Sequence, residues 1–219
     1  MIAAMKAGVN RGPWKTSRMD SVIDPQNYDR WLGRTWPTLE YIDTTLKKRR
    51  TAVDVGAAEG LITEWLADKF DAVHAFEPVS QHFELLNRTD WGGKVICHNL
   101  AVGNRTGMQA IEGVGHAAHI TDRTDCPSVP VTTLDALDLR NVDLIKIDVE
   151  GFETRVLQGA VTLIANFKPM IMFERKHLFR TRYNDESPTT FLQRHGYRKV
   201  FMGPLDTVMV YQPRKGIWE

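Results

Sequence analysis

Thr51-Ala52-Val53-Asp54-Val55-Gly56-Ala57-Ala58-Glu59-Gly60 is the stretch from which the fold of this chain can be read. Its first half is a short apolar run with an acid near the end, the pattern of a buried strand. Gly56 and Gly60 then allow a tight turn at which backbone can approach a ligand. Leu61, Ile62, Trp65 and Leu66 follow at helical spacing, and Ala72-Val73-His74-Ala75-Phe76 is a second apolar run closed by Glu77. Strand, glycine loop, helix, strand and acid, in that order, open a doubly wound sheet, where the acid can grip ribose hydroxyls. A generic strand-turn-helix would begin the same way, so the rest of the chain has to decide.

The loop argues against a dinucleotide. That fingerprint is G-x-G-x-x-G, with a pyrophosphate on the helix N-terminus. Here the spacing is Gly56-x-x-x-Gly60, and Glu59 stands where a pyrophosphate needs positive potential. An acidic loop suits a cationic ligand that carries a ribose. S-adenosylmethionine, with its sulfonium and ammonium groups, is such a ligand.

Composition narrows the class. Hydrophobic residues make up 42% and charged residues 25% of 219 residues, ordinary values for one globular domain. A net charge of +1 gives no electrostatic case for nucleic acid or an anionic membrane. Lys47-Lys48-Arg49-Arg50 reads as a solvated helix end. Cys97 and Cys126 have no metal or redox spacing, so no metal ligands are assigned and a reducing, cytoplasmic setting is expected. No apolar stretch approaches membrane-spanning length.

From residue 51 onward, strands and helices alternate. Strands are expected at 51–55, 72–77, 94–98, 143–149, 169–174, 197–202 and 206–211, and helices at 59–70, 80–88, 152–166 and 188–195. Alternation implies a parallel sheet with helices on both faces. The link between the last two strands is too short for a parallel crossover, so they should form a hairpin. Gly107–Ile111 and Val129–Leu134 suggest an extra strand pair, with Glu112–Pro127 a long loop between them. Residues 1–50 concentrate Trp and Tyr and read as an N-terminal cap or lid, with 51–219 as the main domain.

The second informative stretch is Val142-Asp143-Leu144-Ile145-Lys146-Ile147-Asp148-Val149-Glu150-Gly151-Phe152-Glu153. A two-residue period sends Lys146, Asp148 and Glu150 to one side. A lysine inside a central strand must reach a carboxylate or solvent. Glu150 and Glu153 also suit the N-terminus of the next helix. The motifs D-V-G-A-x-x-G, F-E-P, N-L-A-V-G (Asn99–Gly103), T-L-D (Thr133–Asp135), I-K-I-D-V-E-G-F-E (Ile145–Glu153), L-x-G-A (Leu157–Ala160) and P-x-x-x-x-E (Pro169–Glu174) occur in this order. As an ordered set over about residues 51–175, they resemble the FkbM-type methyltransferases, a class I S-adenosylmethionine-dependent group.

The resemblance implies an α/β, Rossmann-like class I methyltransferase fold, with seven strands and an antiparallel C-terminal strand. It also implies O-methylation of a hydroxyl on a sugar or natural product. The family usually has Asn where this chain has Ala58. Asp54, Gly56, Ala57 and Gly60 are assigned to the methionine end of the cofactor and its loop, Glu77 and Pro78 to the ribose, and Asn99 and Ala101 to the adenine. Asp148, Glu174 and Glu150 are the candidate catalytic acids, with His177 a candidate base and His116 and His119 entering from the long loop. A divalent metal on the carboxylates is conceivable but lacks a supporting ligand spacing. The expected partner is a small-molecule or glycan acceptor. The competing readings are an N-methyltransferase, a cofactor-binding module without transfer activity and a nicotinamide oxidoreductase, the last disfavoured by the loop spacing.

Overall fold

The computed structural model describes residues 25–176 and 178–212. Helix α1 (Pro25–Thr45) leads into β1 (Thr51–Val55), α2 (Leu61–Lys69), β2 (Ala72–Phe76), α3 (Ser80–Arg88) and β3 (Val95–His98). Strands β4 (Ala101–Val102), β5 (Gly107–Glu112), β6 (His119–Thr121) and β7 (Ser128–Thr132) follow. The chain then runs through β8 (Val142–Ile147), α4 (Glu153–Gln158), α5 (Val161–Phe167), β9 (Met170–Glu174), α6 (Leu178–Tyr183) and α7 (Pro188–Arg194). Strands β10 (Tyr197–Met202) and β11 (Asp206–Tyr211) complete it.

Seven strands form the main sheet in the order β10-β11-β9-β8-β1-β2-β3. β1, β2, β3, β8 and β9 pair in parallel, and β11 pairs antiparallel with both β9 and β10. Every residue of β1, β8 and β9 is buried, as unbroken apolar runs in a sheet covered on both faces require. Alternate residues feed opposite cores. Val53, Val55, Ile145 and Ile147 join Phe152, Val156 and Leu157 on one face. Ala52 and Leu144 join Leu39, Ile42, Trp65 and Leu66 on the other. Helix α1 therefore packs into the core through Leu39 and Ile42, and Tyr41 stacks on Phe201 of β10 at 4.6 Å. Residues 1–24 of the expected cap lie outside the described residues, as does His177.

The sequence reading needs three corrections. The expected helix over 152–166 is two helices, α4 and α5, and the break falls at Gly159, which lies against the Gly103 backbone. A Cβ at Gly159 would meet the Gly103 carbonyl oxygen at 1.9 Å. The Asp135 carboxylate then accepts hydrogen bonds from the Thr162 and Leu163 amides at 2.9 and 2.8 Å, capping the start of α5. The N-L-A-V-G, T-L-D and L-x-G-A motifs thus meet at one structural junction. Second, Glu112–Pro127 is not a plain loop. β6 folds back on β5, and a second sheet forms in the order β4-β7-β5-β6. Third, β8 ends at Ile147, so Glu150 reaches its place through a turn and not by strand alternation. Its φ of +55° and the +106° of Gly151 make that turn.

The basic run before β1 is taken up partly by ion pairs. Arg49 meets Asp43 at 2.8 Å and Arg50 meets Asp143 at 2.6 Å. Among the described residues, no helix is long and apolar enough to cross a membrane.

Candidate active site

The carboxyl ends of β1, β2, β8 and β9 border one cavity of about 860 Å³. Ligands of open α/β sheets bind at this end of the strands. Gly56 lines the cavity with φ +75°, and a Cβ there would meet the Asp148 carbonyl oxygen at 1.9 Å. The close approach that demands glycine is therefore to the chain itself, where the loops after β1 and β8 touch. The Gly56 and Ala57 amides both donate to the Phe76 carbonyl at 3.0 Å. Ala58 holds φ +48°, a left-handed conformation that Asn tolerates better than Ala.

Glu77 lines the cavity and is 5% exposed. Its carboxylate accepts hydrogen bonds from the Ala58 and Val79 amides, each at 2.8 Å. Burial pushes its carboxyl up to about 7, against the opposite pull of those two N–H groups. Each oxygen keeps a lone pair for a further donor. Pro78 and Ala101 line the same wall. Asn99 does not line it; its amide donates to the Glu77 carbonyl at 2.9 Å and so holds the end of β2. Gly60 also stands back, at φ +104°, where a Cβ would press on Leu86 and Trp91.

Asp54 lies behind the cavity wall. It is 0% exposed, with Lys146 Nζ 2.9 Å from one carboxylate oxygen and Thr63 Oγ1 donating to the other at 2.7 Å. Lys146 is its register partner on β8 and also donates to the Gly56 carbonyl at 2.6 Å. Burial opposes the lysine's charge, but Asp54 and then Asp148 outweigh it and raise the ammonium above its ordinary value. The lysine therefore finds its carboxylate in Asp54.

The other end of the cavity is lined by Asp148, Glu150 and Glu174, whose carboxylate oxygens lie within 4.8 Å of one another. Lys176 Nζ lies 2.5 Å from Glu150 and 2.9 Å from Glu174. Burial, followed by the charge of Asp148, pushes the Glu174 carboxyl up to about 9. Lys176 pulls the other way, but burial and the like charge of Asp148 outweigh it and favour the protonated form of Glu174. Asp206, opposite Glu174 in the register of β11, is buried and pushed up to about 7, first by burial and then by Asp148. His116 and His119 also line the cavity.

Sequence reasoning missed Lys176 and Asp206. Lys176 was within reach, two residues beyond Glu174. Asp206 gave no signal, because only the hairpin's pairing brings it to Glu174.

The methyltransferase FkbM domain matches residues 54–199. Among solved structures, the methyltransferase FkbM from Methylobacillus flagellatus KT is similar, with a TM-score of 0.51 at 18% identity, covering 87% of this chain. This chain spans 56% of that protein's length. A putative rRNA methylase from Clostridium thermocellum is similar with a TM-score of 0.52 at 11% identity, covering 84% of this chain and 97% of that one. At these identities the two structures establish the shared fold. No curated protein sequence matches. The domain match takes in both the glycine-loop motif and the I-K-I-D-V-E-G stretch, and the chain belongs to the FkbM methyltransferase family.

Proposed function

We propose that this chain is an S-adenosylmethionine-dependent methyltransferase that methylates a hydroxyl of a sugar or other small natural product. The observation that carries the reading is one cavity with two unlike ends. Glu77 and the Gly56–Glu59 loop line one end, and the Asp148–Glu174 pair lines the other. The first suits a ribose and a sulfonium, and the second suits an acceptor whose proton must leave.

In this mechanism the acceptor oxygen attacks the methyl carbon in line with the departing sulfur. With S-adenosylmethionine held by Glu77 and the Gly56–Glu59 loop, its sulfonium would supply the methyl group and keep the electron pair of the broken carbon–sulfur bond, while Asp148 would take the hydroxyl proton. Glu174, protonated, orients the acceptor by donating a hydrogen bond. Holding the two reactants in line supplies much of the rate, and the proton acceptor supplies about 10²–10⁴-fold more. Lys176, already between Glu150 and Glu174, contributes positive charge at the place where a divalent ion would otherwise bring it.

Residues 1–50 act as a cap on the 51–219 domain in this reading, a role supported by Leu39 and Ile42 in the core and Arg34 at the cavity. The free thiols of Cys97 and Cys126 suit a cytoplasmic setting. Calorimetry with S-adenosylmethionine, followed by mass spectrometry after incubation with hydroxylated and amine acceptors, tests the proposal. Cofactor binding with an O-methylated product is expected. An N-methylated product, or binding without transfer to any acceptor, overturns the O-methyl assignment.

A further inference from the structure

Glu59, His82 and His116 are far apart in the sequence, and the fold brings them together. Glu59 belongs to the glycine loop, His82 to the first turn of α3, and His116 to the short 3-10 turn Gly115–Ala117 between β5 and β6. Their ligand atoms all lie within 4.8 Å of one another. His82 Nε2 stands 3.5 Å, and His116 Nε2 3.4 Å, from the same Glu59 oxygen, Oε1. Both separations are long for an N–H···O hydrogen bond, which prefers about 2.7–3.2 Å. They fit donors sharing a small ion. Ligand atoms about 2.0–2.1 Å from a tetrahedral zinc stand roughly 3.4 Å apart. The two imidazole rings are 4.9 Å apart between centroids and tilted by 35°, so they reach the carboxylate from separate elements without stacking flat. Two imidazoles and one carboxylate suit zinc and its transition-metal neighbours, whereas magnesium and calcium prefer oxygen donors.

We propose that Glu59, His82 and His116 bind one zinc-class divalent ion, leaving a fourth position open to the cavity, and that the ion pins the Gly115–Ala117 turn against the glycine loop.

Two further observations place the site. His82 is buried and His116 is exposed. The amide of Ala58, beside Glu59, donates to the Glu77 carboxylate. The site thus links the β5–β6 segment to the loop whose next amide, that of Ala58, holds Glu77.

The test uses the full chain without a polyhistidine tag, stripped by a chelator and titrated with Zn²⁺ alone against a chromophoric zinc indicator. One bound equivalent is expected, with added hydrogen-exchange protection at residues 113–118. His116→Ala alters an exposed side chain and should weaken binding by more than about tenfold, since even outer-shell changes cost 10–100-fold at metal sites. His82→Gln should do the same, and if it fails to fold, His116→Ala decides alone. Glu174→Gln should bind Zn²⁺ as the parent does. Absence of stoichiometric binding overturns the proposal. So does binding unchanged by His116→Ala, or binding lost in a folded Glu174→Gln, which would move the ion to the other carboxylates. The titration contains no cofactor, so its failure leaves the methyltransferase reading standing.

Discussion

The two ends of the cavity use the same kind of residue, a carboxylate at the end of a strand, to opposite effect. At the glycine-loop end Asp54 and Glu77 are each matched by donors of the fold. Asp54 has Lys146 and Thr63, and Glu77 has two backbone amides. At the other end Asp148, Glu150, Glu174 and Asp206 crowd together with only Lys176 placed directly between two of them. Satisfied charge makes a rigid wall that shapes a ligand site. Burial, followed by crowded charge, holds the Glu174 proton far from its ordinary pKa, the arrangement that acid–base chemistry needs. What separates the ends is the supply of donors: a lysine, a threonine and two backbone amides at one, and a lysine shared by two carboxylates at the other.

The largest expected effect comes from breaking the wall itself. Lys146→Met leaves Asp54 charged and buried, and removing one partner of such a pair costs about 3–5 kcal/mol. Urea denaturation measures it. A loss below about 1 kcal/mol would mean that Asp54 is neutralised some other way, and the contrast between the ends would collapse.

Asp148→Asn probes the crowded end. It should keep the fold and cofactor affinity while lowering kcat by about 10²–10⁴-fold. Parental turnover in this variant would remove Asp148 from the chemistry.

Glu77→Ala should behave differently, because Glu77 serves both the ligand and the fold. Cofactor binding should weaken by about 1.5–3 kcal/mol, one to two decades, while the Ala58 and Val79 amides lose their acceptor and stability falls as well. A variant that binds S-adenosylmethionine as tightly as the parent would break the ribose assignment.

The smallest effect is a pH slope. Glu174 rises from 4.5 to about 9 on folding, so the native state keeps a proton that the unfolded chain has released. The stabilisation is fully present below about pH 4.5 and is lost as the pH rises through about 9. Between about pH 7 and 9, one proton gives a fall approaching 1.4 kcal/mol per pH unit. Glu77, Glu153 and Asp206, each pushed up to about 7, act with the same sign mainly below that window. Burial lowers His74, His82 and His98 below 6.5, and their opposite effect is confined to pH values below that. Thermal unfolding across the window should therefore show falling stability in the parent and a flatter profile in Glu174→Gln. An unchanged slope in the variant would place the proton elsewhere.

The sequence by itself determined the parallel sheet, the C-terminal hairpin and the acids at the strand ends. Each of these rests on a local signal: apolar runs of strand length, helical spacing, or a link too short for a crossover. Asp148, Glu174 and Glu77 were legible as cavity residues because the carboxyl end of a strand is a place the chain itself marks, whereas Glu150 arrives there through a turn. The tertiary structure alone decided how those charges are spent. Asp54 meets Lys146 only because β1 and β8 lie side by side in a particular register, ninety-two positions apart along the chain (54 to 146). Gly159 must be glycine only because the Gly103 carbonyl lies where its Cβ would be. Glu59, His82 and His116 gather around one point from a loop, a helix and an insertion. Periodicity records which face a residue occupies. Which charge it meets there is fixed by packing between segments remote in sequence, and the electrostatic energy depends on that distance.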